Sequence, residues 1–521
     1  MSRKLFVFNK FLFAICLVSI TLILTFFEYI NYFLKVFHPL PNWVNFLLLV
    51  SVTFFLMYLF IFLKKKHHSF KSLFLWINKY FKNILIVISI LLFVLQIIIA
   101  WNFYFKTGWD VEVVFNFANT LEKNDWLQWY FSAHPNNLLL AYIFSIIIKF
   151  ANFIGMDPYF GIIVIGSLLV NISGIITALV LNDYSKNKVL ALLSLCIFIP
   201  WVALSPWIVI PYSDIYGIIF PVLVLYLYIK VKQSNASNYF RIFMIGFLSA
   251  VGYLIKASTI IVLIAIIITE IFELISNQPR NKRAITNNII LLLCSVGLVF
   301  ASFSILKTSF GINEERSFGP THFIMMGLNA ETSGRYDEED ALYSKSFQTK
   351  AERQRANVQV IKERLNNFGP LGLIKHLVNK ALINFNDGSF AWELEGNFYK
   401  ELLPNNNKIL APILMKFYSS YEDYDNTVFK QIVQSLWLWV LIFSLGFIIP
   451  LQNNNLIYFS IDNVVYLSII GFVLFVMIFE ARARYLFVFA PIFIICAFIG
   501  LERTYHYLLQ VFHGLIINAD L

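Results

Sequence analysis

Residues 134–153 read HPNNLLLAYIFSIIIKFANF, and whether this run crosses a bilayer or lies along its surface decides the topology of the whole chain. From residue 137 it is apolar for nearly the length of a crossing helix, which needs about 20 residues. Against a crossing stand Lys149 inside the run and the lead His134-Pro135-Asn136-Asn137 before it. Twelve other apolar runs occur, near 11–34, 44–63, 84–105, 159–181, 189–205, 215–231, 241–255, 258–275, 285–306, 431–450, 462–479 and 484–501. Between them sit the basic clusters Lys64-Lys65-Lys66, Lys186/Lys188, Lys230/Lys232/Arg241 and Arg280/Lys282/Arg283. Cytoplasmic loops carry the excess of Lys and Arg, so all four should lie inside. If 137–153 crossed, everything after it would invert and eight of those basic residues would face outward. As a juxtamembrane helix on the outer face it leaves every cluster inside, with both termini cytoplasmic. The charges select that second arrangement.

Composition agrees with a membrane protein. Of 521 residues 59% are hydrophobic, 18% aromatic and only 13% charged, and Phe alone supplies 55. Mean hydropathy is +0.72. A water-facing surface could not carry this load, which excludes a soluble enzyme, a secreted disulfide scaffold and a disordered chain. The net charge of +10 resides in the loop clusters, so it marks topology and not a nucleic-acid partner. Cys16, Cys196, Cys294 and Cys496 lie in apolar stretches without metal-site or disulfide spacing. The first run follows Ser2-Arg3-Lys4 without a small-residue cleavage site, so a retained span is expected.

The expected fold is an all-α polytopic membrane protein of about 12 transmembrane helices, with an extracellular juxtamembrane helix and a mainly helical extracellular region. Residues 1–80 form a helix pair, and 81–306 a transmembrane module whose first outer loop is 106–158. Residues 307–430 lie outside, and 431–521 hold the last spans and a short cytoplasmic tail. Within 307–430 a helical pattern covers about 344–366, Gly369-Pro370 breaks it, and Leu373, Leu377 and Ala381 suggest an amphipathic helix beyond. The acidic run 337–340 reads as a wet surface.

Charges at a membrane boundary are costly, so each is a candidate site. This topology gathers the isolated ones on one side, and the interior of the spans reads as almost uncharged apart from Glu28. Asp110 and Glu112 follow Gly108-Trp109. Read as extended chain, they point the same way and could share one cation or one acceptor hydroxyl; the plainer reading is a solvated loop start. Asp214, in Pro211-Tyr212-Ser213-Asp214, could cap the following helix as well as act. Lys256 occupies the turn before the eighth span, as a ligand or as an interfacial anchor. Glu480-Ala-Arg482-Ala-Arg484-Tyr485 is the strongest local signal. Arginines two apart cannot both anchor one helical face, and guanidinium pairs phosphate bidentately while Glu480 orients one of them. His134, His322 and His376 lack a ligand partner at short spacing and read as solvated or structural.

In this order and on one side, Trp109-Asp110-Val111-Glu112, His134-Pro135-Asn136-Asn137, Pro211-Tyr212-Ser213-Asp214, Ile255-Lys256-Ala257-Ser258-Thr259 and Glu480-Ala-Arg482-Ala-Arg484-Tyr485 resemble the GT-C class of membrane glycosyltransferases. The similarity is to the bacterial branch related to protein O-mannosyltransferases and aminoarabinose transferases, over roughly 84–306 and 431–501. It implies an undecaprenyl-phosphate-linked sugar as donor, taken from the outer leaflet of a bacterial plasma membrane. A cell-envelope polysaccharide or teichoic acid would be the acceptor, with no nucleic acid involved. The class's acidic residue in the first outer loop, its catalytic base or metal contact, maps to Asp110, with Glu112 beside it. Asp-Val-Glu departs from the Asp-x-Asp form, which leaves a divalent metal, Mg or Mn, on Asp110, Glu112 and Asp214 as an option. Lys256, Arg482 and Arg484 would hold the donor phosphate, supported by Asp214, Glu480, Tyr485, His134 and Asn137. The outer region 307–430, with Phe385, Asp387, Trp392 and Glu393 within it, resembles loops of uncharacterised Gram-positive members and would shape the acceptor site. The competing reading is a flippase or other transporter of lipid-linked oligosaccharide, although transporters usually keep their charges at the bilayer midplane.

Overall fold

The computed structural model describes residues 2–27, 40–66, 68–234, 238–275, 282–396, 410–420, 425–450 and 456–519. Glu28 and Arg280 lie outside them. The described residues contain helices and no strand. The long ones are α1 (Ser2–Phe26), α2 (Asn42–Lys66) and α3 (His68–Phe103). Three helices then join α3 to the next long element: α4 (Asp110–Thr120), α5 (Asp125–Ala133) and α6 (Asn136–Phe153). The bundle continues with α7 (Pro158–Ser185), α8 (Lys188–Phe198), α9 (Ser213–Gly217), α10 (Ile219–Gln233), α11 (Tyr239–Ile255), α12 (Ile261–Leu274) and α13 (Lys282–Phe310). An intervening region carries α14 (Pro320–Gly327), α15 (Glu338–Lys345), α16 (Lys350–Phe385) and α17 (Leu410–Tyr418). α18 (Thr427–Leu445), α19 (Leu456–Ile478) and α20 (Leu486–Ala519) complete the bundle.

By length and composition, 11 helical stretches among the described residues can cross a membrane, and α6 is one of them. Contacts show what α6 does. α3 and α7 run antiparallel: Ser89 meets Asn171 midway, Lys188 Nζ reaches Asn78 O (2.7 Å) at one end, and Tyr104 meets Phe160 at the other. α7 therefore starts where α3 finishes. Between them, Asn137 at the start of α6 donates to Tyr130, a partner of Asp110 just beyond α3. Ala151 near its end packs on Gly161 in the first turn of α7. Both ends of α6 thus sit at one end of the bundle, and it lies along that end. Two shorter apolar helices, Lys188–Ala203 and Tyr239–Ile255, reach from one end of the bundle to the other. Lys188 meets Asn78 O and Ala203 O accepts from Gln96, toward opposite ends of α3. Arg241 meets Lys230 O, while Lys256, just after Ile255, meets Asp214. Exchanging α6 for these two gives twelve traversals among the described residues.

Helices in lipid gain little from apolar burial alone and associate where small residues allow close approach. Gly246 of α11 is such a place, since a Cβ there would lie 2.6 Å from Leu292 O on α13. The region after α13 is fastened into the bundle by indoles. Trp201 donates to Gly388 O (2.9 Å), Trp207 to Ser389 O (3.2 Å) and Trp437 to Phe385 O (2.6 Å), while Trp392 donates to Tyr418 O (2.8 Å). Buried carbonyls need partners, and these indoles supply them at the ends of α16 and α17 and in the loop at Gly388 and Ser389.

Four expectations change here. The acidic run is not wholly wet: Asp340 is buried against Arg364 at 2.6 Å, and Asp337 caps α15. The long outer helix begins at Lys350, with α15 covering the start of the predicted pattern, and it kinks at Gly369. Its buried face beyond the kink is also more polar than the Leu spacing predicted, including His376, Lys380 and Asn384. Nor are the spans nearly uncharged. At the end away from Asp110, Asp462 pairs with Arg503 (2.6 Å), and Lys232 pairs with Glu270 (2.6 Å) and Glu273 (3.0 Å). In the sequence Lys232 reads only as a loop charge, and Glu270, Glu273, Asp462 and Arg503 escape notice because they fall at the ends of apolar runs, where their partners come from other helices.

Candidate functional site

Helix α11 ends at Ile255, and Lys256 adopts extended geometry before the chain turns into α12. Helix α19 ends at Ile478, and residues 479–482 run irregularly before a short turn leads into α20. Two turns between successive apolar helices thus deliver their charges to one place. Asp214, in the first turn of α9, is 2% exposed and lies between them. Lys256 Nζ is 2.6 Å from its Oδ1, and Arg484 Nε is 3.1 Å from its Oδ2. Both contacts are ionic, with angles outside hydrogen-bond geometry. Asp214 does not cap its helix: Tyr212 holds that position and makes no side-chain cap.

The arginines differ in setting. Arg482 pairs through Nε with Glu480 (2.8 Å) and through Nη1 with Glu395 (2.9 Å). Its neighbouring carboxylates raise its pKa well above the usual arginine value, so it stays charged. Arg484 is wedged among aromatic faces, 4.7 Å from the Trp109 ring, 5.4 Å from Trp207 and 5.5 Å from Tyr212. Lys256 sits 4.2 Å over the Tyr485 ring, and that phenol donates to Glu480 at 3.3 Å. Stacking on π faces offsets part of the cost of desolvating these cations.

Asp110 faces the same space from the first turn of α4. Tyr130 donates to its Oδ1 (2.8 Å) and Tyr212 to its Oδ2 (3.0 Å), while Asn137 donates to the Tyr130 oxygen (2.7 Å). Burial and the Asp110 charge push the Tyr130 phenol well above its ordinary range, which keeps it a neutral donor. Each carboxylate oxygen retains a lone pair for a third partner. His134 packs beside Tyr130 and lines the cavity, and burial lowers its pKa, so it is neutral near pH 7.

Glu112 is a correction. The segment is the helix α4 and not extended chain, so a separation of two turns the side chains far apart. Glu112 lines a second pocket of about 290 Å³ with Asn116, Asn124 and Trp126. The metal option fails for the same reason: Asp110 is held by phenols, Asp214 by two cations, and Glu112 faces elsewhere. No group of three or more His, Cys, Asp or Glu among the described residues could hold a metal ion. His322 and His376 are structural, bonded to Ser344 (2.8 Å) and Gly327 O (3.0 Å).

All the remaining predicted residues except Asp214 line one cavity of about 2080 Å³: Asp110, His134, Asn137, Lys256, Glu480, Arg482, Arg484 and Tyr485. Below this ionic floor the cavity continues as an apolar groove. Ile260, Ile264 and Ile268 of the turn and α12 line one side, and Leu467, Leu474 and Ile478 of α19 the other. Leu467 and Ile478 are eleven positions apart on α19, roughly 16 Å of groove. Ile264, Leu474 and Ile478 are 48%, 51% and 47% exposed, so the groove opens sideways out of the bundle.

Sequence reading missed Glu395, Tyr130, Tyr212 and Ser258 as parts of the site. Ser258 is 1% exposed, and its hydroxyl has no partner among the described residues. It and Tyr212 lay inside quoted motifs, whereas nothing local marks Glu395.

A family model described as a conserved hypothetical integral membrane protein matches residues 4–505. No curated protein matches the chain. No solved structure matches it either.

Proposed function

Because the chain belongs to that family of integral membrane proteins, we propose that its cavity works at the membrane surface, as a GT-C-type glycosyltransferase that moves a sugar from a polyprenyl-phosphate donor to a cell-envelope glycopolymer. One observation carries this reading: a single cavity joins an apolar groove, open sideways, to a floor of Lys256, Arg482 and Arg484. Such a shape suits a molecule with a long hydrocarbon tail and an anionic head. On this reading the cavity end faces the cell exterior of a bacterial plasma membrane. The clusters Lys186/Lys188, Lys230/Lys232/Arg241 and Lys282/Arg283 then fall at the cytoplasmic end, as the positive-inside rule requires.

The reaction is a single displacement. Asp110 takes the proton of an acceptor hydroxyl, the freed oxygen attacks the anomeric carbon, and the bond from that carbon to the phosphate oxygen breaks. Configuration inverts, and the electron pair leaves on polyprenyl phosphate. Arg482, Arg484 and Lys256 stabilise the charge growing there, from a site already desolvated by Trp109 and Trp207. Tyr130 and Tyr212 fix the Asp110 carboxylate, and Asp214 fixes Lys256 and Arg484.

The test uses the full chain in lipid nanodiscs with a radiolabelled polyprenyl-phosphate hexose and envelope glycopolymer, reading release of free polyprenyl phosphate. Asp110→Asn should lower release by about 10²–10⁴-fold, the usual contribution of a positioned base. Glu112→Gln should leave it within about twofold, because its side chain faces the smaller pocket. Near-normal release from Asp110→Asn would remove it from the mechanism. Movement of the intact lipid-sugar across the bilayer without release would mean transport.

A further inference from the structure

Glu395 belongs to the short turn Trp392–Gly396, held behind it by the buried Trp392 indole. Just before this turn, Phe390 and Ala391 have φ of 61° and 59°, the left-handed region that costs a residue bearing a Cβ. The strained backbone aims Glu395 across the cavity floor. There one carboxylate oxygen, Oε2, lies 2.9 Å from Arg482 Nη1 and 3.7 Å from Arg484 Nε. An oxyanion bridging two guanidinium groups is what a phosphate would provide in the same place. Both arginines also have a second carboxylate of their own, Glu480 for Arg482 and Asp214 for Arg484.

Charge sharpens the point. The floor holds Lys256, Arg482 and Arg484 against Asp214, Glu480 and Glu395, three cations and three carboxylates, and is neutral as it stands. Without Glu395 it carries one net positive charge. A sugar linked through a single phosphodiester brings one negative charge, whereas a diphosphate linkage brings two.

We propose that Glu395 is a resident stand-in for the donor phosphate, displaced when a monoanionic polyprenyl phosphodiester enters, and that it sets the site's preference for one phosphate over two. The inference rests on the glycosyl-transfer reading only for the identity of the anion. Asp214 and Glu480 are deeply buried and stay with their cations. The Glu395 side chain is 19% exposed and borders the open cavity, so it is the carboxylate able to swing away. Because it competes with the anion for the same guanidinium atoms, its presence weakens binding and prevents the empty site from holding one unbalanced positive charge.

Equilibrium binding of polyprenyl-phosphoryl hexose and of its diphosphate analogue to the full chain in nanodiscs tests this. Glu395→Gln should bind the monophosphate diester on the order of tenfold more tightly and the diphosphate by a larger factor, narrowing the preference between them. Glu395→Asp, which keeps the charge on a shorter arm, should stay nearer the parent. Arg482→Met should lose binding of both. If Glu395→Gln binds either lipid no more tightly than the parent while Arg482→Met still loses binding, the stand-in role is wrong and the donor site survives. If parent and Arg482→Met bind both lipids equally poorly, the donor reading itself falls, and this inference with it.

Discussion

Replacing Asp214 by Asn removes one charge from between two cations while leaving the side-chain volume almost unchanged. Lys256 Nζ at 2.6 Å and Arg484 Nε at 3.1 Å then lose their shared counter-ion, and the new amide turns a donor toward one of them. Deleting one partner of a buried ion pair usually costs about 3–5 kcal/mol, because an uncompensated charge remains out of water. Here some compensation persists. Glu395 still lies 3.7 Å from Arg484, and the Tyr485 ring still lies 4.2 Å under Lys256. The loss should therefore fall near the low end, about 3 kcal/mol. Reversible denaturant unfolding of the full chain in mixed micelles, followed by tryptophan fluorescence, would measure it. Adding Lys256→Met should make Asp214→Asn cheaper by at least ~1 kcal/mol, as coupling between contacting residues requires. A loss below about 1 kcal/mol, or strict additivity of the two changes, would refute the idea that Asp214 holds the cavity floor.

Two further outcomes follow from the clasp around the end of α19. Gly327→Ala would place a Cβ 2.6 Å from Phe479 O and 2.7 Å from Ile478 O, atoms that cannot yield cheaply; it should displace the arginine turn and lower donor affinity, whereas unchanged affinity would show that the turn is held elsewhere. Lys380 is fully buried, donates to Gly327 O at 2.8 Å, and is pushed down from 10.5 to about 7 by that burial, with Glu480 opposing the shift and His376 neutral beside it. Between pH 7 and 10.5 the unfolded chain holds more protons at this position than the folded one, so stability should rise with pH across that window. Lys380→Met should remove that part of the slope, and identical unfolding midpoints against pH in parent and variant would count against it.

The same clasp explains why part of the site was hidden in the sequence. Asn384 donates to Val476 O and accepts from Arg482 N, so α16 sets the backbone from which both arginines depart. From its local pattern, α16 reads as an amphipathic outer helix. His376 and Lys380 are polar because they meet Gly327 O at the end of α14, and Lys380 and Asn384 because they also meet carbonyls at the end of α19, nearly a hundred residues away. Likewise Glu395 has no motif around it, and its meaning comes from two arginines on the far side of the chain.

Hydrophobic run length and the placement of Lys and Arg were enough to establish a multi-pass helical membrane protein and to make 137–153 a helix along one end, because bilayer thickness and loop charge act on local sequence. Breaks in apolar runs likewise exposed Asp110, Lys256 and the arginine turn, since a charge at such a boundary is costly wherever the rest of the chain goes. Only the tertiary structure decided which of those charges meet. It sent Glu112 away by making its segment helical, gave Asp214 to two cations, and brought Glu395 between the arginines. Pairing of buried charges is a matter of distance in space, and distance along the chain does not encode it.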